Sequence, residues 1–356
     1  MINTETKNHK MFEVISPAPR DVWQALLEVD TEAVPYQNPA WLDCVCAIGN
    51  YEDVSRLYRT SDGRQFILPL VRRRGFPEVL TPVASLPPGW GMGGLVASGN
   101  IQAEEIAAIF EDLARLPFPK ISVRPNPRQG ESWAAAAPQG VVTIPRLAHV
   151  IDLEGGFEQV WSKRFDKKTR SAVRKGERAG VVVESDTTGR LVPVFYELLR
   201  RSFDRWALQQ HEPRFLTHLR GQMRDPLRKF QMMADRLGDA CCIWVAWVNG
   251  QPAASMLVLQ YANVNDSRGA MDKDVTASTG ANDLLQSMAI EAACESGCRY
   301  YHMGESGNSA SLAHFKTRFG AEAYPYAEYH LERFPFTRID AGLRRIVKRV
   351  IGFKDV

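Results

Sequence analysis

Two apolar runs separated by a single dipeptide place the strongest constraint on this 356-residue chain. Cys241–Val248 and Pro252–Tyr261 flank Asn249-Gly250, the pair that supplies positive φ at both central positions of a type I′ turn, so they are predicted to form a β-hairpin. Asn265–Met271 reads as a third strand, Gly280–Ser296 as a helix and Arg299–Met303 as a further strand. That order fits a single-helix crossover inside a mostly antiparallel sheet. It does not fit a doubly wound dinucleotide fold.

The rest of the second half keeps the same mixed character. Phe165–Ala179 is a basic helix closed by Gly180, Val181–Glu184 is a strand, and Arg190–Leu208 is a long helix with Pro193 in its first turn. Arg214–Arg224 and Leu227–Leu237 have helical spacing, Leu312–Arg318 is a short helix stopped by Gly320, and Tyr324–Glu332 is the last strand. In the first half, Phe12–Ile15 is strand-like, while Asp21–Val29 and Pro39–Ile48 are helical. Val54–Thr60 pairs with Arg64–Val71 across Ser61-Asp62-Gly63, and Ala103–Leu116 is an amphipathic helix. Lys120–Val123 and His149–Leu153 read as strands. The proline-rich run Pro117–Pro145 reads as a loop-rich crossing. The expected class is therefore α/β (α+β), with units at 1–150 and 151–335 and a basic amphipathic helix at 336–356.

Composition narrows the class of function. The chain is 45% apolar and 24% charged, which is ordinary for globular domains and excludes a disordered tail protein. No run of about 18 apolar residues occurs and the first ten residues are polar, so a cytoplasmic protein without a membrane span is expected. The six cysteines, at 44, 46, 241, 242, 294 and 298, form no C-x-x-C pair and have no histidine at ligand spacing, so no metal is expected. The net charge of +3 conceals two basic segments, Lys163–Arg178 at +6 and Arg338–Lys354 at +5, on a body that is otherwise acidic. An anionic partner would be met at those segments.

Five stretches carry a resemblance. They are Pro35-Tyr36-Gln37-Asn38-Pro39-Ala40-Trp41-Leu42, Ile67-Leu68-Pro69-Leu70, His149-Val150-Ile151-Asp152-Leu153, Gly280-Ala281-Asn282-Asp283-Leu284-Leu285 and His314-Phe315-Lys316-Thr317-Arg318-Phe319-Gly320. In this order the chain resembles the FemAB-like, CelD/BcsL-type branch of the GNAT acyltransferase superfamily, over about residues 12–335. The resemblance implies tandem GNAT-like domains, each a mixed, mostly antiparallel sheet flanked by helices, with the more complete machinery in the second. It implies transfer of an acyl group from acyl-CoA to an amine or hydroxyl of a sugar or polysaccharide precursor. The alternatives it leaves are an aminoacyl-tRNA donor, or a non-catalytic scaffold in an export or assembly complex.

Direct acyl transfer needs an anchored carrier, a donor for the developing oxyanion and an acceptor for the nucleophile's proton. Lys316, which follows Phe315, lies in a segment resembling the family's Phe-Lys-x-x-Phe-Gly motif, and that places it beside the transferred carbonyl and Phe315 beside the substrate. His302, at the end of a strand, is a candidate base near neutral pH, with Glu305 as the alternative. Thr279, Gly280, Ala281 and Asn282 open a helix whose N-terminus favours carrier phosphates, and Gly280 would permit close approach. The fuller Gln/Arg-x-x-Gly-x-Gly/Ala loop is absent. Arg170 and Arg174, four apart, with Lys175, suit a phosphate or diphosphate. Gly89–Gly94 lacks the Lys-Ser/Thr of a P-loop and reads as a turn-rich loop. Trp206, near Arg200, Arg201 and Arg205, is a candidate wall of an acceptor groove. The C-terminal helix either packs back onto the protein or makes peripheral contact with an anionic membrane, and packing is the expectation.

Overall fold

A computed structural model describes residues 12–307 and 309–353. The first half begins with β1 (Phe12–Ile15), α1 (Arg20–Val29), α2 (Pro39–Gly49), β2 (Tyr51–Asp53), β3 (Arg56–Thr60) and β4 (Gln65–Leu68). It continues with β5 (Val71–Arg73), β6 (Val83–Ala84), β7 (Val96–Ala97), α3 (Ala103–Arg115), β8 (Lys120–Val123), α4 (Gly130–Ala136) and β9 (Val142–Asp152). Next come α5 (Gly156–Gln159), which runs into a π-turn at Val160–Arg164, α6 (Lys167–Arg178), β10 (Val182–Asp186), α7 (Val192–Gln210), α8 (Arg214–Arg224) and α9 (Leu227–Leu237). The chain closes with the strands β11 (Cys241–Val248), β12 (Gln251–Gln260), β13 (Val264–Met271), β14 (Tyr300–Glu305) and β15 (Glu322–Glu332). Between them lie the helices α10 (Lys273–Thr279), α11 (Ala281–Glu295) and α12 (Ala310–Thr317), and α13 (Phe336–Val350) follows β15.

The predicted hairpin is β11–β12, with Asn249 at φ 49° and Gly250 at φ 74° in the turn. Among the described residues eleven strands form one sheet in the order β10-β11-β12-β13-β14-β9-β15-β8-β6-β5-β2, and β1-β3-β4-β7 form a second. The large sheet has two parallel pairs, β6–β8 and β13–β14, each connected through a helix, α3 and α11. This is the tandem GNAT-like arrangement: two mixed, mostly antiparallel units with one crossover each. β15, the last strand in sequence, lies between β9 and β8 and so joins the two units into one sheet.

Three features depart from the sequence reading. The Pro117–Pro145 run contains the helix α4, and β9 begins at Val142, seven residues before the strand read at His149. Pro145 is tolerated because β14 pairs with β9 only from Ala148 onward, so at Pro145 the strand has β15 on one side only. Pro325 is placed alike in β15, beyond the reach of β8. The segment Lys273–Thr279 is a helix, capped by Asp272 accepting from the amides of Asp274 and Val275. Finally, α13 does not pack back. None of its residues is buried, and Leu343, Ile346 and Val350 are 60%, 62% and 79% exposed.

Apolar clusters lie on both sides of the sheets. In the second unit Leu285, Ala289 and Ile290 of α11 pack on Ile151, Val264 and Tyr301. On the opposite side Phe195, Leu199 and Phe203 of α7 pack with Ile243, Leu257 and Trp41. Trp244, on β11, packs against the α11 cluster, and Trp247 and Tyr261 pack against the α7 cluster.

Candidate active site

β13 and β14 pair only at Val264↔Tyr301 and Asn265↔His302, and beyond these residues they part. β13 also carries a bulge there: Leu257 of β12 opposes Arg268 while Val258 opposes Asp266, which leaves Ser267 as the extra residue. A bulge leaves one residue out of the ladder and re-aims its neighbours. Here it sets Asp266 at the mouth of the opening between the two strands.

Asp266 keeps some surface at that mouth, but protein surrounds its carboxylate. Tyr301 donates to it through its hydroxyl, and Gln286 Nε2 donates to both Asp266, at 3.2 Å, and the Tyr301 hydroxyl, at 3.0 Å. Burial pushes the carboxyl up to about 6, against those hydrogen bonds and the charge of Lys316. Lys316, near the end of α12, is 5% exposed and donates to the carbonyls of Gly304, at 2.9 Å, and Glu305, at 2.8 Å. An ammonium has three donors, so one N–H remains unassigned by these two bonds. Burial pulls the Lys316 ammonium down to about 8, although Asp266 and Glu305 oppose the shift.

The Glu305 carboxylate accepts from Tyr326 and, at 3.4 Å, from Arg146, so Glu305 is tied into β15 and β9. Arg146 also donates to Glu328 at 2.6 Å, and Arg124 does so at 2.8 Å. His302 is 1% exposed, and neither ring nitrogen has a hydrogen-bond partner among the described residues. Strand alternation sends it to the face of β14 opposite Tyr301. Burial, with a contribution from the Arg128 charge, pulls its imidazole down to about 3. A group so weakly basic accepts no proton near neutral pH, which removes the physical reason for reading His302 as a base.

The first unit reaches this site. Tyr36, just before α2, accepts a hydrogen bond from Asn265 at 2.9 Å, and burial pushes its phenol up to about 12. Gln37 holds that segment by donating to the carbonyl of Leu95 at 2.9 Å.

The expected carrier residues lie together at the start of α11, against α6. Gly280 has φ 77°, and a Cβ there would lie 2.4 Å from the carbonyl oxygen of Ala172. The close approach that Gly280 permits is thus that of α6. Thr279 accepts from the amide of Ala281 at 3.3 Å, Asn282 is in the first turn, and Lys175 donates to the carbonyl of Ala277 at 3.2 Å. Arg174 lies over the ring of Trp161 at 5.8 Å. Arg170 turns away and donates to the carbonyls of Trp161 and Phe165, closing the π-turn, so the two arginines do not form one anion clamp. Phe315 packs on Phe319, with ring centroids 5.1 Å apart.

Beyond Asp266 on β13, Arg268 leads to a cavity of about 170 Å³ whose walls include Phe203, Trp206, Arg220 and Arg224. Arg268, Arg224 and Lys229 converge on Asp225, with Lys229 at 3.0 Å and Arg224 at 2.8 Å. Burial alone would raise the Asp225 carboxyl, but the three cations hold it down at about 2. Lys229 also donates to the carbonyl of Gly89 at 2.7 Å and lies over the Trp90 ring, so the Gly89–Gly94 loop is a structural turn docked on α9. Among the described residues no group of three or more His, Cys, Asp or Glu side chains is placed to hold a metal ion.

Asp266, Gln286, Tyr301, Arg268 and Asp225 are not among the residues singled out from the sequence. The available signal was an acid inside a strand that leads into a crossover helix, a position where an unpaired carboxylate is costly.

Residues 163–324 match the family model described as an acetyltransferase (GNAT) domain. No curated protein matches the chain. Among solved structures, FemX aligns with TM-score 0.63 at 11% identity, over 89% of this chain and 96% of that one. A conserved protein of unknown function from Bacteroides thetaiotaomicron aligns with TM-score 0.53 at 9% identity, over 90% and 98%. A tandem GNAT protein from the clavulanic acid biosynthesis pathway aligns at 0.46, with 14% identity over 91% and 99%. At such identities the structural likeness speaks for the fold. The chain is built as two mixed, mostly antiparallel GNAT-like units joined in one sheet, and its residues 163–324 match the acetyltransferase (GNAT) domain.

Proposed function

We propose that the chain is an acyltransferase that moves an acyl group from acyl-CoA to an amine or hydroxyl of an anionic sugar or cell-envelope precursor, by direct attack. The observation that carries this reading is the pair Asp266 and Lys316 in the opening between β13 and β14, with titration ranges near 6 and 8 on either side of neutral pH.

In this mechanism the acceptor's nitrogen or oxygen attacks the thioester carbon while the Asp266 carboxylate takes the nucleophile's proton. Tyr301 and Gln286 hold that carboxylate in place. The third N–H of Lys316, with the out-of-ladder amide of Ser267, faces the developing oxyanion. As the intermediate collapses the C–S bond breaks, and the thiolate leaves with the proton held by Asp266. Lys175, Arg174 and the first turn of α11 meet the carrier phosphates. Arg268, Arg224 and Lys229 exceed their shared partner Asp225 by two charges while Arg220 is paired with Glu212, and this surplus gives the cavity beside Trp206 its affinity for a negatively charged acceptor.

Acyl-CoA turnover should be bell-shaped in pH, with limbs near 6 and 8 and roughly a tenth of the maximum left at pH 5 and pH 9. Asp266→Asn should remove the acid limb and cost about 10²–10⁴ in kcat. Lys316→Met should cost about 10²–10³. Wild-type profiles in both variants would refute the assignment. The +6 segment at Lys163–Arg178 also supports a second reading, transfer from aminoacyl-tRNA. A steep fall of kcat/KM with salt would mark that donor. A protein that no carrier stabilises would point to a scaffold.

A further inference from the structure

At one end of the large sheet, two separate elements expose apolar side chains beside arginines. The first is α13. Taking 100° per residue, Phe336, Ile339, Leu343, Ile346, Val347 and Val350 fall within an arc of about 100°. Arg338, Arg344, Arg345, Lys348 and Arg349 occupy the opposite arc, and Asp340 is the one acid of the helix. Its root is fixed: the amide of Thr337 donates to both carboxylate oxygens of Glu332 at 3.1 Å, and Lys120 donates to the Thr337 hydroxyl at 3.2 Å. Among the described residues none of its apolar side chains belongs to a core cluster, and Phe334 beside it is 63% exposed.

The second element is the loop Phe76–Leu80, where Phe76, Val79 and Leu80 are 60%, 60% and 70% exposed and Arg73 and Arg74 precede them. Strand register places it next to the root of α13. β15 ends at Glu332 opposite Lys120, β8 starts at Lys120, and β6, parallel to β8, starts at Val83. β5 ends at Arg73 on the same side, since Arg72 opposes Val83. Neighbouring strands lie about 4.8 Å apart, so the loop and α13 are within two or three strand spacings at the same sheet end. β13 and β14 also run toward this end, because β14 is antiparallel to β9 and β9 to β15. The opening that holds Asp266 and Lys316 therefore widens toward it.

We propose that this end of the sheet docks on an anionic lipid bilayer, with α13 lying in the interface and the Phe76–Leu80 loop inserting beside it. Charge selects the occupant. Two copies pairing through the apolar arc of α13 would leave the five basic residues of each copy on the outer faces without a counter-surface, whereas an anionic surface neutralises them. The apolar arc enters the acyl-chain boundary while the arginines reach the headgroups. Docking in this orientation turns the opening between β13 and β14 toward the bilayer. It does not depend on which acyl donor the enzyme uses.

The test is co-sedimentation of the full chain with phosphatidylcholine vesicles and with vesicles containing 30% phosphatidylglycerol, alongside light scattering without lipid. The expected result is at least about tenfold stronger binding to the anionic vesicles, since each basic residue near such a surface is worth roughly fivefold in partition. Leu343→Asp with Ile346→Asp should abolish binding, Arg345→Ser with Arg349→Ser should cost at least about tenfold, and Phe76→Ser with Leu80→Ser should weaken it severalfold. All six side chains are solvent-facing, so unfolding temperatures should stay at the wild-type value. Equal binding to both vesicles, or binding that survives the α13 substitutions, would overturn the proposal. So would a lipid-free dimer that Leu343→Asp with Ile346→Asp converts to monomer.

Discussion

His302 makes stability depend on pH in a way that can be worked out from its surroundings. Its imidazole is pulled down to about 3 in the folded chain, against an ordinary value of 6.5. Between those values the unfolded state binds the proton and the folded state does not, so stability is lost as pH falls through 6.5 toward 3. Integrated from pH 7 to pH 5, this one group removes about 2 kcal/mol, a sizeable part of the roughly 5–15 kcal/mol that holds a domain folded. Asp266 acts in the opposite sense. Its carboxyl is raised to about 6, so the folded state binds the extra proton and regains about 1 kcal/mol over the same interval. The wild-type curve alone therefore mixes opposed contributions, since burial also pulls His149 down and Asp266 runs against both histidines. The difference between wild type and His302→Leu isolates the histidine. In urea unfolding at pH 7 and pH 5, the variant should gain about 2 kcal/mol relative to wild type on acidification. At pH 7 it should be no less stable, because neither ring nitrogen has a hydrogen bond to lose among the described residues. Parallel curves for the two proteins would refute both the burial argument and the sign.

Two further substitutions test the packing around the site. Gly280→Ala should destabilise by about 2–4 kcal/mol in urea melts, because the new Cβ meets the Ala172 carbonyl at 2.4 Å and φ 77° is unfavourable for alanine. A neutral result would mean that α6 does not rest on the start of α11. Asp225→Asn leaves Arg224, Lys229 and Arg268 without their shared counter-charge and should cost about 3–5 kcal/mol. Unchanged stability would show that solvent, not Asp225, balances these cations.

The elements set by local rules were legible from the residues. The Asn249-Gly250 turn, the α8 and α9 boundaries and the crossover through α11 follow from turn chemistry and periodicity. Lys316 is singled out by the motif around it, and the fold buries its ammonium against the Gly304 and Glu305 carbonyls. The surroundings of Asp266 were not legible, because they depend on the bulge at Ser267 and on Tyr301 and Gln286, brought in from β14 and α11. The placement of Arg170 was hidden for a similar reason. Spacing puts it on one face with Arg174, but the π-turn before α6 offers it free carbonyls closer at hand. Pro145 and Pro325 hid strand residues because proline opposes strands only where both sides must pair. The free face of α13 was unreadable, since an amphipathic pattern states that one side avoids water without stating what covers it.

β15 fills the slot between β9 and β8, and its contact with β8 links residues about 200 apart, Tyr329 opposite Val123. During synthesis the first unit must therefore wait with β8 unpaired on that side until β15, about 200 residues further along, has emerged. Closure entropy for such a span makes this pairing a late event, and until then an open strand edge is exposed to other chains. Assembly of the first unit is in this way timed by the end of the second.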